Sequence, residues 1–162
     1  MRIRDETEAD RLSIFRVHAA AFPSDGEARL VDMLRDGGDL TISLVAECEG
    51  TVVGHVAFSR MSAPFGALGL APVGVLPRAQ NRGIGTALIR CGIERAKSGA
   101  WDGVFVLGDA PYYERFGFRV DLAAGFSCRF AGPHFMAMAL GGISLPQLSG
   151  AVAYPDAFDV LD

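Results

Sequence analysis

The chain has 162 residues, half of them hydrophobic and 21% charged, which excludes an intrinsically disordered segment and supplies enough apolar surface for one packed core. Fifteen Lys and Arg against 19 Asp and Glu leave a net charge of -4, which excludes an activity based on neutralising a nucleic-acid backbone. Any cationic site has to be local.

The first residues, Met1-Arg2-Ile3-Arg4-Asp5-Glu6, are charged where an export signal needs an apolar stretch, and no apolar run approaches the roughly 20 residues of a membrane span. A cytoplasmic location with no membrane or nucleic-acid partner is expected. Cys48, Cys91 and Cys128 are odd in number, far apart and without C-x-x-C or His-rich spacing, so reduced, mostly buried thiols and no metal site are expected.

In chain order, Arg2 to Arg4 reads as a short strand, and Thr7-Glu8-Ala9-Asp10 as a capping box opening a helix whose apolar face is Leu12, Phe15, Ala19 and Phe22. Ser24-Asp25-Gly26-Glu27 starts a second helix with the stripe Leu30, Val31 and Leu34, stopped by Gly37-Gly38. Thr41–Cys48 and Thr51–Arg60 read as a hairpin turning at Glu49-Gly50. Leu68–Leu76 is a third apolar strand, bulged or splayed at Pro72, which lacks a ladder donor. Gly83–Ser98 has helical spacing with Ile84, Leu88 and Cys91 on one side and Gly99 as its stop. Val104–Leu107 is a buried strand, Pro111–Phe116 a short helix broken by Gly117, Phe118–Leu122 a strand, and Phe135–Leu140 the last strand. One α/β domain over residues 1–162 is expected, ending in an ordered tail over about 142–162 anchored by Tyr154 and Phe158.

The most informative segment is Gln80-Asn81-Arg82-Gly83-Ile84-Gly85-Thr86, set between a strand and a helix. The first amides of a helix lack partners and carry the positive end of its dipole, so they bind phosphate, and glycines at 83 and 85 let an anion close to the backbone. The same two glycines also suit tight packing where a strand turns into a helix. Neither the Walker spacing nor the full dinucleotide fingerprint is present, because position 88 is leucine.

On Gln80 to Gly85 the chain resembles the GNAT family of N-acetyltransferases, whose pyrophosphate loop has the form [QR]-x-x-G-x-[GA]. The resemblance implies a GNAT fold with a mixed, mostly antiparallel sheet of about seven strands flanked by about four helices. It also implies acetyl-CoA as cosubstrate with no metal, pyrophosphate contacts from Gln80, Asn81, Arg82, Gly83, Ile84, Gly85 and Thr86, and pantetheine alignment by Val73 and Val75. The segment Val104 to Phe118 is similar to the family's fifth strand and following helix, which often ends Y-x-x-x-G-F. This places Tyr113 as the acid that protonates the leaving thiolate and Tyr112 beside the pantetheine. Gly108-Asp109 departs from the asparagine many members carry there, and Asp109 is expected to cap the short helix.

A closer likeness is to the YhbS-like branch of bacterial GNAT proteins, through Glu27 to Val31, Val53 to Ser59, Leu107 to Asp109, Tyr112 to Phe118 and Gly150 to Phe158. The implied function is acetyl transfer to a primary amine of a small molecule or protein, and the same loop would also serve a noncatalytic acyl-CoA sensor or a hydrolase. An alkylamine with pKa near 10.4 is neutral in about one molecule in a thousand at pH 7, so a base or relay is required. No residue stands out for that role. Glu27, at the start of the helix with which the family shapes its acceptor site, and His55 are the acceptor-side candidates, each with a structural reading of its own. Glu47, His18 and His134 read as structural, and oligomeric state is open, a homodimer included.

Overall fold

The computed structural model describes residues 1–142 and 144–162; Ile143, within the expected tail, lies outside the described residues. Strands form at β1 (Arg2–Asp5), β2 (Leu40–Cys48), β3 (Thr51–Arg60), β4 (Ala67–Val75), β5 (Gly103–Leu107), β6 (Phe126–Ser127), β7 (Phe135–Ala139) and β8 (Gly150–Ala151). The helices are α1 (Arg11–Ala21), α2 (Gly26–Asp36), α3 (Ile84–Ser98), α4 (Ala110–Glu114) and α5 (Val120–Ala123), with short 3₁₀ turns at Glu8–Asp10, Pro77–Ala79 and Asp156–Leu161. Six strands share a sheet in the order β1-β2-β3-β4-β5-β7, and β6 pairs with β8 in a separate two-stranded sheet. β1–β2, β2–β3 and β5–β7 are antiparallel and β4–β5 parallel, which gives the mixed α/β architecture expected.

The element count departs from expectation at residues 118–127. Gly117 turns the chain at φ 105°, and Arg119 alone bridges Ala137, donating and accepting at 2.9 and 3.0 Å. Val120–Ala123 then coils into α5 where the sequence read as a strand, because a helical turn carries Leu122 and Ala123 onto the aromatic cluster of β5, β6 and β7.

Residues 1–59, 71–95 and 156–162 form one compact unit, and residues 60–70 and 96–155 another. In the first, β2 and β3 turn at Glu49 and Gly50 with φ of 51° and 79°, the left-handed pair whose twist suits a tight hairpin. Adjacent residues of β3 point opposite ways: Gly54 lies against Ile84 and Leu88 of α3, and His55 meets His18 of α1. The expected stripe Leu30, Val31 and Leu34 of α2 is fully buried.

Two helix faces differ from those expected. On α1 the buried residues are Ile14, Val17 and His18, while Leu12 is 59% exposed. The Asp10 carboxylate accepts from the Thr7 N–H at 2.7 Å and from Arg4 at 2.7 and 3.0 Å, which fixes where α1 starts and hence which side turns inward. On α3, Ile84 and Leu88 are buried as expected, joined by Ile89, Ile93 and Ala96, but Cys91 is exposed. Gly92 takes the inward place, so close to Phe58 that an added Cβ would lie 2.1 Å from its ring. The expectation of mostly buried thiols therefore fails: Cys91 is exposed, Cys48 and Cys128 are half-buried, and all three are free.

The second unit is built on aromatic packing. Phe105 stacks on Phe135 at 5.3 Å and meets Phe126 edge-on at 5.4 Å, with Met61, Ala67, Leu145 and Val152 around them. Tyr154 packs over Gly69 so closely that a Cβ there would lie 2.5 Å from its ring.

Candidate active site

The turn from β4 into α3 carries the residues expected to bind phosphate. Asn81 and Gly83 hold φ of 64° and 80°, and left-handed residues in such turns aim successive N–H groups to one side as an anion-binding nest. Among the described residues, no backbone carbonyl accepts from the N–H of Asn81, Arg82, Gly83, Ile84 or Gly85. A Cβ at Gly83 would meet nothing within 4 Å, so of the two readings open for that position, tight packing is ruled out and backbone conformation is the need. Gln80, Asn81, Arg82 and Gly83 are exposed, while Gly85 and Thr86 are half-buried. The Gln80 side chain turns back, its Nε2 donating to the Val75 carbonyl at 2.9 Å, and so ties the turn to the end of β4. Val73 and Val75 are half-buried on that strand. Beside the loop opens a cleft of about 540 Å³ with Arg78, Arg82, Glu49 and Thr51 on its walls. Unpaired amides, two guanidinium groups and a helix start fit a diphosphate.

Tyr113 is carried by α4, whose first turn Asp109 caps by accepting from the Tyr112 N–H at 3.3 Å, as expected. Gly108 makes room for the Tyr113 ring, since a Cβ there would lie 2.5 Å from it. Tyr112 and Phe118 meet that ring edge-on at 5.1 and 5.9 Å, and burial, helped by Tyr112, pushes the phenol up to about 12. At neutral pH it therefore holds its proton. Arg115 lies over the half-buried Tyr112 ring, 4.4 Å from its centre.

On the expected acceptor side, Glu27 sits half-buried in the first turn of α2. His55 is different from expectation. It is fully buried with both ring nitrogens engaged, 2.8 Å from His18 Nε2 and 2.7 Å from Ser43 Oγ, which leaves it no polar atom for direct contact with a substrate. The Ser43 hydroxyl in turn donates to Glu6, which pairs with Arg35 through two hydrogen bonds of 2.8 and 3.0 Å. Sequence reasoning took His18 and His55 one at a time and missed Ser43 and Glu6, because positions 37 residues apart carry no periodic signal of contact. Glu47 accepts from Arg4 at 3.3 Å and His134 is exposed. Among the described residues, no three His, Cys, Asp or Glu side chains gather into a metal-holding group, and no helix is long and apolar enough to cross a membrane.

The acetyltransferase (GNAT) domain model matches residues 39–120. The uncharacterized N-acetyltransferase YhbS of Escherichia coli is 34% identical over 98% of this chain and 99% of its own length, and the uncharacterized N-acetyltransferase YjhQ of the same species is 40% identical over 69% of this chain and 66% of its own. Among solved structures, Escherichia coli YhbS in complex with CoA superposes with a TM-score of 0.90 at 32% identity, covering 98% of this chain and 91% of that one. A GNAT acetyltransferase of Brucella melitensis in complex with acetyl-CoA gives 0.83 at 39% identity, over 98% and 97%. With full-length relatives and the loop geometry in agreement, the chain belongs to the GNAT family of acetyltransferases.

Proposed function

We propose that residues 1–162 work as one acetyltransferase domain that passes the acetyl group of acetyl-CoA to a primary amine of a small molecule or protein by direct attack on the thioester. The observation that carries this reading is the run of unpartnered amides from Asn81 to Gly85, bent by two left-handed residues. In this reading the loop from Asn81 to Thr86, shaped by Gln80, holds the diphosphate, Val73 and Val75 align the pantetheine, and Tyr112 flanks it. Glu27 borders the acceptor. Tyr113 donates a proton to the departing sulfur. A phenol raised to about 12 is a weak acid beside a thiol near 8.5, so the transfer runs as charge develops on sulfur in the same desolvated surroundings that hold the phenol protonated. Free thiols at 48, 91 and 128 suit a reducing cytoplasm.

The experiment is thiol release from acetyl-CoA across a panel of primary amines, with calorimetry for acetyl-CoA binding. Tyr113→Phe is expected to lower the rate by roughly 100-fold to 10,000-fold, the usual worth of general-acid help, and to leave acetyl-CoA affinity unchanged. Binding without transfer to any amine would favour the sensor reading, and thiol release at one rate with or without amine the hydrolase.

A further inference from the structure

Helix α1 carries two apolar faces. Ile14, Val17 and His18 turn inward and are buried. The stripe expected to be buried, Leu12, Phe15, Ala19 and Phe22, falls outside that face: Leu12 and Ala19 are exposed, Phe15 and Phe22 half-buried. Ala9 and Ala20, both exposed, widen it. Single exposed apolar side chains are ordinary, but a surface helix turns charges outward, as α2 does with Arg29, Asp32 and Asp36, all of them in ion pairs. Arg11 leans toward α2, where Asp32 and Asp36 hold it at 3.2 and 2.9 Å. The charges left in the outward arc of α1 are Glu8 and Arg16, both exposed and in no ion pair among the described residues. Beside the stripe a groove of about 520 Å³ opens, lined by Glu8, Ala9, Arg11, Leu12, Phe15 and Asp32. An apolar face next to a groove is the form of an interaction surface.

The order of charges along the stripe selects its occupant. The backbone stays helical from Glu8 into α1, with Asp10 and Arg11 at φ −85° and −52°. Glu8, Leu12 and Arg16 therefore follow one another at four-residue spacing on one face, about 6 Å apart along the axis. A second copy running antiparallel, with its Leu12 beside this one, sets Glu8 of each chain opposite Arg16 of the other. A parallel copy would set like charges together. The pattern is complementary to itself, which is what a two-fold interface between identical subunits requires.

We propose that the outer face of α1 is the contact between two copies of this chain, an antiparallel α1–α1 pair centred on Leu12. Leu12 and Phe15 of each copy seat against the groove beside α1 of the other, and α2 of both copies completes a layer of four helices. The pairing stands whether or not the chain transfers acetyl groups.

Analytical ultracentrifugation of the full chain over a micromolar dilution series tests it. The wild type is expected to sediment at twice 17.2 kDa. Leu12→Glu, at a position 59% exposed in the single chain, is expected to weaken association by roughly 100-fold or more, because each dimer loses two such contacts. Glu8→Arg and Arg16→Glu each set like charges opposite one another and are expected to weaken it by about 10-fold. The two together reverse both ends of the pattern and are expected to restore wild-type association. A wild type at 17.2 kDa throughout the series would overturn the proposal, as would a Leu12→Glu chain that dimerises like the wild type. So would a double reversal no tighter than the single changes, and that comparison decides even if Leu12→Glu does not fold.

Discussion

At position 83 a methyl group would touch nothing, yet the backbone there is left-handed at 80°. Gly83→Ala is thus expected to cost about 1 to 2 kcal/mol through conformation alone, and Gly83→Asn less, since asparagine tolerates that region as Asn81 already does. Urea unfolding of the two variants checks the order, and equal losses would point to a lost contact instead. The turn before α3 was legible in the sequence because its signals are local: glycine spacing, a helix start and a preceding strand lie close together in the chain. Tyr113 was singled out for the same reason, through a short motif whose helix and Asp109 cap the fold does form. The contact of His18 with His55 was not legible, because only the fold brings positions 37 residues apart to within 2.8 Å.

Helix α3 is pinned to β3 by a missing side chain. Gly92 lets the helix come down on Phe58, and Gly92→Ala would drive a methyl into that ring. A loss of about 1 to 3 kcal/mol is expected, the usual cost of overpacking, measured by the same unfolding experiment with Cys91→Ala as the near-neutral neighbour on the exposed side. Periodicity located both α1 and α3 but misjudged which residues faced inward, since apolar spacing gives a stripe and not the rotation that Asp10 and Gly92 impose. The β2–β3 hairpin was read correctly because Glu49-Gly50 specifies its turn on the spot. Phe118–Leu122 was misread because Phe118, Val120 and Leu122 alternate with Arg119 and Asp121, the period of a strand, and packing on β7 overrides that local pattern.

Across the whole molecule the buried imidazoles set a pH limit. His18 has its folded value depressed from 6.5 to about 4, so the stability it contributes is complete above 6.5 and lost as pH falls toward 4. The 2.5-unit difference corresponds to about 3 kcal/mol. His55 acts in the same sense, and Asp10, lowered from 3.8 to about 2 by its hydrogen bond to Arg4, extends the loss to lower pH. Unfolding midpoints should fall between pH 6.5 and 4.5, and a flat profile would contradict a neutral imidazole pair. The position of the C-terminal stretch bears on how the protein is made. Tyr154 fills the space over Gly69 in one unit, while Val160 and Leu161 lie beside Gly26 in the other. Each unit lacks part of its packing until those residues have been synthesised, so the nascent chain exposes apolar surface that they would cover.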